Sequence, residues 1–243
     1  MLTLESEHNK KDAAYSRIKE LAVNFRFRPG DHLHVTELSD RLHISATPVR
    51  EALIQLYGER LVIAIPNRGF FAKAPDVAEL EGIHEISRSI LRYSVTTRRR
   101  RLETDGIPQP KPPPCRVDGT GSEQETIVAS AQAKLIELVF ERIASLSGHE
   151  EMISIVRNFN DRSHFVRAVY LETRDSKIAA FEEPMAIIDA MEMEDTSRTL
   201  SHIDRHLDGI IRELPALAKE TLSRAYNAQP AALRDVARDR GRR

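Results

Sequence analysis

The chain has 243 residues, a formal net charge of -1 at pH 7 and a single cysteine. That length accommodates two ordinary domains, and the near-neutral balance excludes a protein that coats nucleic acid through bulk charge, so any such affinity must come from a local patch. The lone Cys115 excludes an intrachain disulfide, the polar start LESEHNKKD lacks the apolar core of a signal peptide, and no apolar run approaches the length of a membrane span. The expectation is a soluble, cytoplasmic protein with no membrane partner.

In chain order, Ala14, Ile18, Leu21, Ala22 and Phe25 form an apolar stripe at helical spacing, and Arg28-Pro29-Gly30-Asp31 stops that helix before Leu33. Leu38, Leu42 and Ile44 form a second apolar set, and Val49, Leu53 and Leu56 a third. His43-Ile44-Ser45 makes the turn between them. The following helix is expected from near residue 46, with Ser45 or Thr47 as its cap and Pro48 in its first turn, where a missing backbone donor costs nothing. Residues 61–65 and 70–73 read as strands joined through Pro66-Asn67-Arg68-Gly69, a turn sequence with a cation at its tip. Helix, turn, helix and hairpin in this order make a winged helix-turn-helix over residues 1–75. Such a domain places its second helix in a DNA major groove and its hairpin against the neighbouring backbone. Ser45, Thr47 and Gln55 then offer small polar groups to the DNA, and Arg50 a guanidinium able to reach a phosphate or a guanine.

After residue 75 the strand signal disappears. Leu80, Ile83, Ile86 and Ile90, and later Leu135, Leu138, Val139, Ile143 and Leu146, recur three and four apart. Further helices are expected at 149–173, 176–192 and 196–226, the last kinked or broken at Pro215. The fold class is therefore mainly α: a winged helix-turn-helix with a small β-hairpin wing, then an all-helical bundle over residues 76–226. A flexible loop is expected at 98–122, where Arg98-Arg99-Arg100-Arg101 leads into a proline- and glycine-rich stretch, and a basic, disordered tail at 227–243. No phosphate-cradling glycine loop, nucleophile motif or Cys-x-x-Cys pair appears, and Glu81 to His84 is the one Glu-x-x-His spacing in a convincing helix where a di-iron bundle needs two. An enzyme is not expected.

The motifs PGDHL, TELSDRL, ISATPVREAL, GERLV and NRGFFAK resemble the DNA-binding domain of GntR-family regulators over roughly residues 12–75. The resemblance implies DNA contacts from Thr36, Ser45, Thr47, Arg50, Asn67, Arg68 and Gly69. Ala46 stands where the family usually has an arginine, which removes one side chain that would read bases. The helical region, through EPMAIIDAMEMEDTSRTLSHIDRHL and NDRSHFVRAVYLE, resembles the ligand-binding domain of the FadR-like (FCD) branch of that family. Many members of the branch hold a divalent metal with one aspartate and three histidines; of those positions only His164 and His206 are kept here, with Asn160 and Pro184 at the other two. A rearranged set of Asp161, His164, His202 and His206 has ligand spacings that share a helical face. The preferred reading is a polar cavity lined by Asn160, His164, Arg167, His202 and His206, with Arg167 pairing the carboxylate of a small organic acid. These readings combine into a homodimeric transcription regulator that binds a double-stranded DNA operator and a small-molecule effector, with repression relieved by the effector. The alternatives are a metal-responsive regulator and an architectural DNA-binding dimer without an effector.

Overall fold

The computed structural model describes residues 2–103, 107–108, 121–173 and 177–227, with the backbone alone at 2–10, 121–125 and 177–181. Most of the expected loop at 98–122, Cys115 within it, and the tail after residue 227 lie outside the described residues. Two compact units are formed: Met1–Pro75 with Lys219–Arg243, and Asp76–Ala218. The last residues of the final helix thus group with the first unit, whereas the sequence reading carried the helical domain through residue 226.

In the first unit, α1 (Leu2–Val23), α2 (Val35–Leu42) and α3 (Ala46–Gly58) precede a two-stranded antiparallel hairpin, β1 (Val62–Ile65) and β2 (Gly69–Ala72), in which Val62 pairs with Ala72 and Ile65 with Gly69. Ala14, Ile18 and Leu21 of α1, Leu38 of α2 and Val49, Ala52, Leu53 and Leu56 of α3 bury against one another and form one apolar core. Phe27, not Phe25, completes that core after α1: Phe25 has a positive φ of 49° and is only partly buried, so the chain turns there and delivers the next aromatic inward. The 30–33 segment adds to the free side of β2. Gly30 N–H donates to the Ala72 carbonyl (2.9 Å), Ala72 N–H to that of Asp31 (2.9 Å) and Leu33 N–H to that of Phe70 (2.8 Å). At the C-terminal end of the unit the Tyr226 hydroxyl donates to the Pro29 carbonyl (3.0 Å).

The second unit is built from α4 (Val77–Thr97), α5 (Gly121–Ser145), α6 (Glu150–Thr173), α7 (Lys177–Glu192) and α8 (Thr196–Asn227) up to residue 218. Asp76 caps α4 by accepting from the Glu79 N–H at 2.8 Å. The buried face of α4 runs through Leu80, Ile83, His84, Ser87, Ile90, Leu91, Ser94 and Val95. Ile86, read from the sequence as core, lies 54% exposed, at the edge of that face beside Ile83 and Ile90. Two prolines sit inside helices, Pro184 in α7 and Pro215 in α8. Helix α8 continues through Pro215 rather than breaking, with Leu214 and Leu217 on either side of it buried in the bundle core. Arg88 and Arg92 of α4 pair with Asp204 of α8 at 3.8 and 2.5 Å, and Arg88 with Asp208 at 2.6 Å, tying the two helices at the surface. No described helix is long and apolar enough to cross a membrane.

Candidate nucleic-acid interface and effector site

The turn between α2 and α3 is set by His43, which caps α2 in the left-handed region (φ 56°, ψ 40°) and lets Ile44 N–H return to the Ser39 carbonyl at 3.1 Å. Ser45 then occupies the N-cap of α3 with extended backbone, but its hydroxyl makes no capping hydrogen bond and stays exposed. Thr36, Thr47 and Arg50 are exposed as well, on the side of the helices away from the core. Arg50 has no ion pair or hydrogen bond to any described residue, in contrast to Arg41 (2.5 Å from Glu37) and Lys11 (3.1 Å from Glu51). An unengaged guanidinium near the start of a recognition helix, beside free hydroxyls and backbone N–H groups, is suited to phosphate and base-edge contacts.

The wing turn follows from its residues. Pro66 fixes the first corner, Asn67 takes a positive φ of 61°, and Arg68 N–H closes the turn on the Ile65 carbonyl at 3.0 Å. Gly69 is required on two counts: its φ is +90°, and a Cβ there would lie 2.7 Å from Nε2 of His32. His32 stacks on Phe71 at 4.9 Å, Arg68 lies over the same ring at 5.7 Å, and Nδ1 of His32 is 3.0 Å from Nε2 of His34. Asn67, Arg68 and Gly69 are all exposed at the tip. The two histidines beside the wing escaped sequence reasoning, because nothing in PGDHLH marks that segment as the neighbour of β2.

In the helical unit, Asn160, Ser163, His164 and Arg167 share one buried face of α6. Arg167, fully buried, is already engaged: its Nη1 donates to Oε1 of Glu137 (2.7 Å) and its Nη2 to the Ser163 hydroxyl (2.9 Å). The same Glu137 oxygen accepts from Nδ1 of His164 (2.8 Å), and Asn160 Nδ2 donates to the Glu137 carbonyl (3.0 Å). Burial holds the Arg167 guanidinium below its ordinary pKa, with Glu137 pulling the other way. His206 of α8 points Nδ1 at Glu183 of α7 (3.3 Å) and meets the rings of Phe140 and Tyr170 edge-on. His84 of α4 sits against Phe159, its pKa pushed down to about 3, chiefly by burial and against the pull of its hydrogen bond to Leu80. His202 stands apart from this set, partly exposed and 3.4 Å from Nη1 of Arg205; its pKa is lowered by desolvation and then by Arg205 and Arg198. A separate polar groove of about 760 Å³ is lined by Arg92, Tyr170, Asp204, Arg205 and Arg212 among others, without His206.

The structure therefore joins Asn160, His164, Arg167 and His206 but not His202 in the buried set. Glu137, Glu183 and His84, missed in the sequence, complete it. The rearranged metal set of Asp161, His164, His202 and His206 is not assembled. Asp161 is one residue, roughly 100° of helical turn, from Asn160 and is not buried with it. Both ring nitrogens of His164 are occupied, by Glu137 and by the Ser130 hydroxyl at 3.2 Å, and a guanidinium shares the Glu137 carboxylate. Among the described residues no group of three or more His, Cys, Asp or Glu side chains is disposed to hold a metal. The donor set does not fit a divalent cation.

The helix-turn-helix, its free recognition-helix arginine and the glycine-tipped wing define a DNA-binding protein of the winged-helix class. Residues 10–72 match the family described as bacterial regulatory proteins, gntR family, and the N-terminal domain belongs to it. The Nta operon transcriptional regulator of Aminobacter aminovorans is 28% identical over 205 residues, 84% of this chain and 96% of that protein. An uncharacterized HTH-type transcriptional regulator of Bacillus subtilis is 19% identical over 85% of this chain and 91% of its own length. In fold, the chain resembles a crystal structure described as a putative transcriptional regulator GntR from Rhodococcus sp. RHA1 (TM-score 0.61, 17% identity, 86% of this chain and 98% of that one). It also resembles E. coli McbR/YncC (TM-score 0.58, 16% identity, 87% and 98%). The protein is a GntR-type DNA-binding transcription regulator, and these relatives are regulators rather than enzymes.

Proposed function

We propose that this regulator is a cytoplasmic repressor of the FadR-like (FCD) branch, which releases its operator when a small organic acid enters the helical domain. The observation that carries the effector half is a fully buried guanidinium, Arg167, in a bundle interior that also holds Asn160, His164 and His206. Buried polar groups are retained at a cost in stability, and a small-molecule site is built from a few such groups converging in an apolar interior. Since Glu137 already satisfies one edge of Arg167, an incoming acid either joins at the guanidinium's remaining Nε–H or displaces the glutamate.

Operator contacts are assigned to Thr36, Ser45, Thr47, Arg50, Asn67, Arg68 and Gly69. A homodimer presents two recognition helices to two half-sites, and the effector lowers affinity by favouring a state that fits both half-sites less well. The Aminobacter relative is named for its operon, which supports regulation of a linked set of genes. The test is to titrate a panel of organic acids into the protein bound to DNA selected from its own genome. Release by one acid at concentrations that stabilise the free protein is expected. DNA affinity unchanged by every acid would refute the effector reading and leave a DNA-binding dimer without one.

A further inference from the structure

The buried cluster restricts the ligand more narrowly than an acid alone, and the restriction comes from which atoms are left open. Nδ1 of His84 lies 2.6 Å from the Leu80 carbonyl oxygen, which can only accept, so the ring proton is on Nδ1. With the ring neutral, Nε2 is a lone pair, and it has no hydrogen-bond partner among the described residues. Oδ1 of Asn160 is a second acceptor without a partner, because the amide uses its nitrogen on Glu137. Nε–H of Arg167 is an open donor, and neither ring nitrogen of His206 has a hydrogen-bond partner among the described residues, although Nδ1 lies 3.3 Å from Oε2 of Glu183. These atoms surround shared walls. Phe159 lies edge-on to His84 (4.9 Å) and under the Arg167 guanidinium (5.1 Å); Phe140 lies under the same guanidinium (5.9 Å) and edge-on to His206 (5.7 Å).

A simple carboxylate brings acceptors only. It can engage Arg167 but leaves His84 Nε2 and Asn160 Oδ1 buried with nothing to accept from. We infer that the effector is a hydroxy acid: its carboxylate goes to Arg167 and its hydroxyl donates to His84 Nε2 or Asn160 Oδ1. The inference rests on the effector site proposed above and goes further by requiring a donor on the ligand. A site built around polar acceptors rejects the analogue that lacks the hydroxyl, because the acceptor is then desolvated and unpaired.

The experiment measures binding of the full-length protein to three matched pairs by calorimetry: glycolate and acetate, 4-hydroxybenzoate and benzoate, mandelate and phenylacetate. At least one hydroxy acid is expected to bind about tenfold tighter than its partner, a margin set by one unsatisfied hydrogen bond. In one of the two variants His84→Leu and Asn160→Val, the one that removes the acceptor used, the hydroxy acid falls to the affinity of its partner. Equal affinity within every pair that binds would overturn the inference while leaving the effector reading intact, as would a preference that survives in both variants. If none of the six acids binds, the effector reading fails and this inference with it.

Discussion

Arg167 shows how a single residue divides what a sequence can say from what a fold adds. Its position on one face of α6 with Asn160 and His164 follows from helical spacing, and the sequence reading assigned its charge to a ligand carboxylate. The structure instead gives it Glu137, 30 residues earlier, in a stretch of α5 flanked by Ile136 and Leu138 that reads as core. Such pairings over long separations leave no mark in local periodicity. Removing one partner of a buried pair strands the other, so Glu137→Gln is expected to cost about 3–5 kcal/mol in urea denaturation. Replacing both residues by apolar ones is expected to restore most of that loss. His84 sets a pH limit. Its folded pKa of about 3 lies below the ordinary 6.5, so below pH 6.5 the unfolded chain takes up a proton that the folded chain refuses. This contribution is complete above pH 6.5 and is lost as pH falls toward 3, by up to about 1.4 kcal/mol per unit. His84→Leu should therefore lose less stability than the wild type between pH 7.5 and 5; equal losses would contradict the burial of a neutral ring.

At the scale of elements, two helix starts that look alike in sequence do different work. Asp76 caps α4 with a hydrogen bond to Glu79 N–H, whereas Ser45 stands at the start of α3 with its hydroxyl unused. Asp76→Ala is expected to destabilise the protein by about 1 kcal/mol, and Ser45→Ala by less than about 0.5 kcal/mol, while only the second weakens operator binding. Paired thermal melts and DNA titrations check both, and a large stability loss at Ser45 would place its role in folding. The elements themselves were largely legible. The spacing of Leu38, Val49, Leu53 and Leu56, the Pro66-Asn67 turn and the start of α3 at Ala46 all follow from local chemistry. Where local rules failed, packing had decided. Spacing alone put Ile86 in the α4 core, but the buried face turns through His84 and Ser87; Pro215 was expected to kink or break α8, and the helix does not break there, with Leu214 and Leu217 on either side buried. The 30–33 segment beside β2 went unseen because a pairing partner for a turn sequence cannot be read from the turn.

For the molecule as a whole, a formal charge of -1 means that DNA affinity has to be concentrated in few contacts. Arg50 and Arg68 are exposed cations of the first unit with no acid partner among the described residues, and Arg50 lies on the recognition helix itself. Among the described residues of the second unit no three His, Cys, Asp or Glu side chains are grouped to hold a divalent ion, so the regulator's response is expected to survive a chelator. The most direct test of the central claim is fluorescence-anisotropy binding to operator DNA selected from the protein's own genome, across a salt series, for wild type and Arg50→Ala. Selective, salt-sensitive binding by the wild type is predicted, with Arg50→Ala folded but weaker and its salt slope reduced by about one. Binding that is unselective, or indifferent to Arg50→Ala, would contradict the assignment of α3 as the helix that reads DNA.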